Sequence, residues 1–290
     1  MKQVTLQDAK IINDFYKKSD SELGYNSFIG TYSTCLGHGE KLFYEIIEDV
    51  CFYILGEETD PEKNIVPLYL GVRPNKGATI IKEYSLKHKI QYGSYIDKQY
   101  VPHIEAVGIK MSPAHEAAHE ALYPVERFKT FQNISNAKRQ AHLFLKGNTF
   151  KFVPYKEEYA NQVIKIAQEW ERETSHPTDG CDVVITKFFT EIYDSLPALG
   201  FVLLVDNKVI AYLFGEVINH QTFIINAVKA KKEYKGVYQA LYHLVSKVPA
   251  LQDVQYINGT NLTEVPGLRE SKLRLKPSRL IIPWECEINS

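Results

Sequence analysis

Cysteine is sparse and scattered in this 290-residue chain. Cys35, Cys51, Cys181 and Cys286 form no CxxC pair, so neither a zinc site nor a disulfide framework finds the close, regular spacing it needs, and reduced thiols are expected. Long hydrophobic runs are missing as well. The apolar run at 201–205 is strand-sized and far short of a membrane span. The opening residues MKQVTLQDAKIIND carry no apolar core of signal-peptide length, so the expected location is the cytoplasm. Charge of one sign is also absent: 34 Lys and Arg face 35 Asp and Glu, for a net charge of −1. That balance excludes a chain that binds polyanions by bulk charge, but it leaves room for a local basic site. Residues 221–290 indeed carry ten Lys and Arg against six Asp and Glu, whereas 45–62 is acidic.

What is present is an ordinary globular composition, 44% hydrophobic and 24% charged, with length for two domains. Thr5 is placed to cap a helix running to about residue 17, with Ala9, Ile11, Ile12, Phe15 and Tyr16 forming its apolar stripe. Runs at 42–47 and 51–55 read as antiparallel strands around a Glu-Asp turn, 65–72 as a strand and 78–88 as a helix. Ser112-Pro113 reads as a helix start, and a longer helix is expected over 125–146.

Gly147-Asn148 opens a second series. Its order is a strand at 150–154, helices at 157–173 and 182–196, and a meander of strands at 200–205, 209–218 and 222–228. The meander turns at Asp206-Asn207 and Asn219-His220. A helix, a strand at 254–257, a short helix at 267–273 and a strand at 280–284 follow. Strand, two helices, three-stranded meander, helix, strand, helix, strand is the order of a GNAT acyltransferase domain. By itself the pattern states α+β with a mostly antiparallel mixed sheet flanked by helices. A degraded copy of the same plan in the first half would make a tandem, with an N-terminal GNAT-like domain and linking helix at 1–146 and a C-terminal GNAT domain at 147–290.

Two segments carry the candidate chemistry. In KAKKEYKGVYQALYHLV, residues 229–245, four lysines precede Gly236 at a strand-to-helix junction. A helix N-terminus offers unpaired amides and partial positive charge to an anion, and glycine lets a ligand approach the backbone. The small residue expected two positions on in an acetyl-coenzyme A loop is replaced by Tyr238, whose bulk argues against a pyrophosphate pocket. The plainer alternative is a helix start flanked by solvated lysines. In the segment from Tyr256 to Pro277, Pro266-Gly267 sets a turn, and Arg269, Lys272 and Lys276 recur at helical spacing. Such a face suits a phosphate-bearing partner such as an RNA acceptor end, or is simply a solvated helix side.

KAKKEYKGVYQAL followed by YINGTNLTEVPGLRESKLRLKP resembles the C-terminal domain of the phosphatidylglycerol lysyltransferase family, including its soluble stand-alone members. The matching positions are Lys229-Ala230, Tyr234, Gly236, Tyr238-Gln239, Asn258, Gly267-Leu268-Arg269, Lys272 and Pro277, and residues 133–144 resemble the basic helix before that domain. The resemblance implies a tandem GNAT fold that transfers an aminoacyl group from aminoacyl-tRNA to a small-molecule or peptide acceptor, with no coenzyme A to hold. It implies substrate contacts from Lys229, Tyr234, Lys235, Gly236, Gln239, Asn258, Gly267, Arg269 and Lys272. Val228, Thr260 and Leu262 stand where the family carries acids, which weighs against a lipid acceptor.

Aminoacyl transfer from an ester requires an acceptor amine to lose a proton while the ester carbonyl is polarised. Glu216, ending the strand AYLFGE, is the candidate base, unless it pairs with a neighbouring lysine. Tyr238 is a candidate acid or substrate contact, or a packing residue. The alternatives are an acetyl-coenzyme A-dependent N-acyltransferase and a non-catalytic binding protein on the same fold. His115-Glu116-Ala-Ala-His119 is a formal HExxH. Pro113 puts His115 in the first turn of the expected helix, and no third histidine follows at the extended spacing, so no metal site is expected.

Overall fold

The computed structural model describes residues 1–56, 63–174, 180–218 and 221–288. The expected Asn219-His220 turn and residues 57–62 of the acidic stretch lie outside them. In chain order the elements are β1 (Lys2–Gln3), α1 (Ala9–Ser19), α2 (Phe28–His38), β2 (Leu42–Ile47), β3 (Val50–Leu55), β4 (Asn64–Tyr69), α3 (Pro74–His88), β5 (Tyr92–Ile96), α4 (Val101–Glu105) and β6 (Met111–Pro113). Then come β7 (Glu120–Pro124), α5 (Val125–Thr130), α6 (Ser135–Gly147), β8 (Phe150–Pro154), α7 (Ala160–Glu173), α8 (Cys181–Ile192), β9 (Ala198–Val205) and β10 (Lys208–Ile218). The chain closes with β11 (Thr222–Ala230), α9 (Val237–Val245), β12 (Tyr256–Asn261), α10 (Pro266–Arg274), β13 (Arg279–Ile281) and β14 (Trp284–Glu287).

Local chemistry accounts for most of these boundaries. Thr5 and Asp8 form a capping box ahead of α1, and Ile12 and Tyr16 bury the inner stripe of that helix. Asp206 and Asn207 both take left-handed backbone, with φ of 51° and 60°, the geometry that lets a two-residue turn join β9 and β10 with the twist of the strands. Val237, Ala240, Leu241 and Val245 are buried along one face of α9. All four cysteines are buried and outside any disulfide, and burial pushes the thiols of Cys35 and Cys51 up to about 12.

Two compact units result, Met1–Glu120 with Ile281–Ser290, and Ala121–Leu280. The division falls away from the expected 146/147 boundary because α6 packs on α9 and thereby belongs with the second unit. The first sheet has the order β1-β2-β3-β4-β5-β14-β6 and the second β13-β7-β12-β11-β10-β9-β8. Both units run strand, two helices, antiparallel meander, helix, parallel strand, helix, strand. The register repeats too: a bulge interrupts each meander at the fifth residue of its last strand, Leu68 in β4 and Asn226 in β11. The chain is therefore a tandem of two GNAT-like mixed sheets flanked by helices. In each sheet, the slot between the parallel strand and the final strand of its own series is filled from elsewhere in the chain: β14 beside β5, and β7 beside β12.

Three expectations are corrected. Ser112-Pro113 does not start a helix; it ends strand β6, which is held by β14. Left-handed residues Phe131 and Asn133 break the expected long helix into α5 and α6. The final expected strand is two short ones in different sheets.

The capping carboxylate of Asp8 makes the first unit acid-sensitive. Burial works to raise its pKa, but the Lys2 ammonium, the Thr5 hydroxyl and amide, and the Tyr44 hydroxyl outweigh it and hold it at about 2. A carboxylate depressed in the folded state stabilises above its unfolded pKa and loses that contribution as pH falls through the folded value. The stability of the wild-type protein is thus expected to decline between about pH 4 and pH 2. Urea midpoints across that window should show a shallower decline for Asp8→Asn, and equal slopes would refute the assignment.

Candidate functional site

In the second unit β11 pairs in parallel with β12 over only three positions, Thr222↔Tyr256, Phe223↔Ile257 and Ile224↔Asn258. Beyond Ile224 the pairing stops, and the bulge at Asn226 follows. On the other side of β11, Glu216 of β10 pairs with Ile224. Glu216, Ile224 and Asn258 therefore form one row across three strands, with side chains on one face of the sheet. Tyr212 and Phe214 of β10 share that face: the Tyr212 hydroxyl meets Thr186 of α8 at 2.7 Å, and Phe214 stacks on Phe189 of α8. The opposite face is apolar, closed by Phe223, Ile225 and Ile257 in the core.

Glu216 is 4% exposed. The Asn226 amide donates to its Oε1 at 3.5 Å, while Asn226 Oδ1 is buried with no hydrogen-bond partner. Asn258 is fully buried, and its Oδ1 accepts from Thr260 N at 2.8 Å. Two residues along, Lys272 Nζ donates to Thr260 Oγ1 at 3.3 Å and to the Asn261 carbonyl. A buried carboxylate beside an open carbonyl-type acceptor suits a ligand that donates, such as an amine, because an unsatisfied buried acceptor costs free energy until a donor arrives. Asn226 was not singled out from the sequence. The available signal was a lone polar residue inside the apolar strand TFIINAVKA.

The remaining expected residues divide into two groups. Lys229 lies on the same sheet face as Glu216 but is committed to structure, 3.0 Å from Asp182 Oδ2 of α8 and 3.9 Å over the Trp170 ring of α7. Lys231 and Lys232 likewise pair with Glu169 and Glu173 of α7, so three of the four lysines before α9 stitch β11 to α7 and α8. Lys235 is exposed. Tyr234, Gly236 and Tyr238 lie on the other face. Tyr234 and Tyr238 pack on the core shared with Phe144 of α6, and the Tyr238 oxygen accepts from Ala230 N at 3.2 Å. Burial first of all pushes the Tyr238 hydroxyl up to about 12. Gly236 caps α9 with φ of 83°. A Cβ built there falls 2.0 Å from the Gln140 carbonyl oxygen of α6, so the backbone that approaches this glycine is the protein's own. Gln239 is half-buried on α9.

The basic face of α10 is smaller than its spacing implied. The helix ends at Arg274, leaving Lys276 beyond it with φ of 55°. Lys272 turns inward as described, and Arg274 pairs with Glu270 at 2.7 Å. Arg269 is half-buried, and Gly267 is exposed with open space where a Cβ would stand. The HExxH residues lie on a single 3₁₀ turn, Glu116–Ala118, with His115 as its cap accepting from Ala117 N and His119 Nε2 against the Ala114 carbonyl. Two histidines four residues apart share a face only on an α-helix. Among the described residues, no group of three or more His, Cys, Asp and Glu is placed to hold a metal ion, and no helix is long and apolar enough to cross a membrane.

The family model of the phosphatidylglycerol lysyltransferase C-terminal domain matches residues 81–284. The chain belongs to that family. No curated protein sequence matches it. Its fold is shared with a conserved protein of unknown function from Bacteroides thetaiotaomicron, at a TM-score of 0.84 and 19% identity over 99% of both chains. It is shared with L-PGS from Bacillus licheniformis, at 0.67 and 13% over 100% of this chain and 94% of that one. FemX is a third relative in fold, at 0.65 and 9% over 98% and 97%. The matched span takes in Glu216, Asn226 and Asn258 and the α10 segment to its end.

Proposed function

We propose that this protein transfers an aminoacyl group from aminoacyl-tRNA to an amine or hydroxyl acceptor, with Glu216 receiving the acceptor's proton. The observation that carries this reading is the polar cluster where β11 leaves β12: a buried carboxylate, the open Oδ1 of Asn226 beside it, and Asn258 in the same row. Two acceptors side by side orient an N–H or O–H donor; the carboxylate takes its proton as the nucleophile attacks the ester carbonyl, and the acyl C–O bond to the tRNA ribose breaks with that proton passing to the leaving oxygen. Arg269 on α10 and exposed Lys235 supply positive charge for a polyanionic donor. No cofactor is required. The close approach of Gln140 to Gly236 and the bulk of Tyr238 favour a donor other than coenzyme A.

The test is a transfer assay with radiolabelled aminoacyl-tRNA and a panel of amine and hydroxyl acceptors, run beside calorimetric titration with acetyl-coenzyme A. Acceptor-dependent loss of label from tRNA, with no coenzyme binding, is expected. Tight acetyl-coenzyme A binding without tRNA binding would establish the coenzyme-dependent alternative instead. Retained tRNA binding with no deacylation by any acceptor would leave a binding protein.

A further inference from the structure

The first unit repeats the register of the second, and at the same place it holds a cavity. β4 pairs in parallel with β5 at Asn64↔Tyr92 and Ile65↔Gly93, and the pairing then stops. One residue further along lie Val66 and Ser94. These occupy the positions that Ile224 and Asn258 hold in the second unit, counted from the first parallel pair of each sheet. A cavity of about 560 Å³ opens here between the strands and α2, with Val66, Ser94 and Tyr95 in its wall, a volume in the range of small-molecule sites.

Its lining has a definite chemistry. Asn26, one of the lining residues, is 2% exposed; its amide donates to the Tyr95 carbonyl at 3.0 Å, and its Oδ1 is buried with no hydrogen-bond partner. Tyr95 holds a left-handed backbone, φ of 50°, a strained conformation for a bulky residue that recurs at binding sites. The exposed residues Glu40 and Glu285 line it together with His38 and His115, and among the described residues no lysine or arginine does. Below it, the fully buried carboxylate of Glu120 accepts from Gly24 N and Tyr25 N. The Tyr95 hydroxyl registers this field: burial first, then the charges of Glu120 and Glu40 among others, raise its pKa.

We infer that this cavity is a binding site for a small organic cation, a primary ammonium compound of amino-acid to dipeptide size. An ammonium group is the ligand that answers both features at once. It supplies the N–H that Asn26 Oδ1 lacks and the positive charge that Glu40 and Glu285 attract. A phosphate or carboxylate ligand would meet Glu40, Glu285 and an open acceptor, with only the imidazoles of His38 and His115 in the lining to set against them. In the second unit the corresponding position carries Glu216, whereas Tyr53 holds it here, pairing with Val66. The site therefore binds without a carboxylate in that row, and the inference stands apart from the transfer reading.

Calorimetric titration of the full-length protein with glycyl-glycinamide and with its N-acetylated form tests this. The free amine is expected to bind, and the acetylated form, which has lost only the charge, to bind at least roughly tenfold more weakly. Glu40 and Glu285 are both exposed, so the double variant Glu40→Gln/Glu285→Gln is expected to fold as the wild type and to lose roughly tenfold in affinity. Absence of binding up to ~10 mM, equal binding of the two forms, or undiminished binding by the double variant would each overturn the inference.

Discussion

Glu216→Gln is expected to lower the rate of aminoacyl transfer by roughly 10²–10⁴-fold while leaving the fold intact, the span that positioned acid–base groups contribute. Glutamine has nearly the same shape and can still accept from the Asn226 amide, so the row of Glu216, Ile224 and Asn258 should persist. What is lost is the capacity to take a proton. The effect should therefore fall on kcat with KM little changed, the pattern of an interaction made only in the transition state. If Glu216 is merely a post that orders β11 at its bulge, the variant will show a lowered melting temperature and a normal kcat, and the catalytic assignment fails. Transfer kinetics beside a thermal melt separate the two outcomes.

Gly236→Ala is expected to lower the melting temperature sharply. Left-handed backbone costs a non-glycine residue roughly 1–2 kcal/mol, and overpacking against a neighbour that cannot move adds roughly 1–3 kcal/mol. The neighbour here is the main chain of α6, with Gln140 O 2.0 Å from the new Cβ. A combined loss of about 3 kcal/mol corresponds to a drop of about 6–12 °C for a unit of this size. Gly267→Ala is the control: nothing lies within 4 Å of its Cβ position, it sits in the first turn of α10, and alanine there is expected to be neutral or stabilising by up to ~1 kcal/mol. A Gly236→Ala protein that melts like the wild type but binds tRNA or coenzyme A poorly would show that the glycine serves a ligand and not helix packing.

The meander and its flanking helices were legible in the sequence because each is specified locally. Asp206-Asn207 dictates a tight turn between two apolar runs, and the stripe of Val237, Ala240, Leu241 and Val245 specifies the buried face of α9 at helical spacing. The GNAT order of the second unit, and through YINGTNLTEVPGLRE the family, followed from such local signals. Glu216 and Asn258 were singled out as separate candidates, one from its place at a strand end and one from resemblance. The role of Gly236 was legible only in part: a glycine at a helix start was evident, but what approaches it was not.

Tertiary structure decided the rest, since pairing partners far apart in the chain leave no mark on either partner alone. The strand at 284–287 lies beside β5, and β7 beside β12, with nothing in their short sequences to name a sheet. The first unit's copy of the fold became evident in register rather than in residues, because pleat and bulge constrain backbone pairing while leaving side chains free to diverge. The lysines ahead of α9 looked like a ligand's counter-charge until Asp182, Glu169 and Glu173 were brought against them by the packing of α7 and α8 on the sheet. Asn226 acquired meaning only when the bulge aimed it at Glu216. The chain alone determined the order of elements in the second unit and the family to which it belongs. Which polar groups converge, and which are already satisfied, was decided by contacts between strands and helices that are distant in sequence.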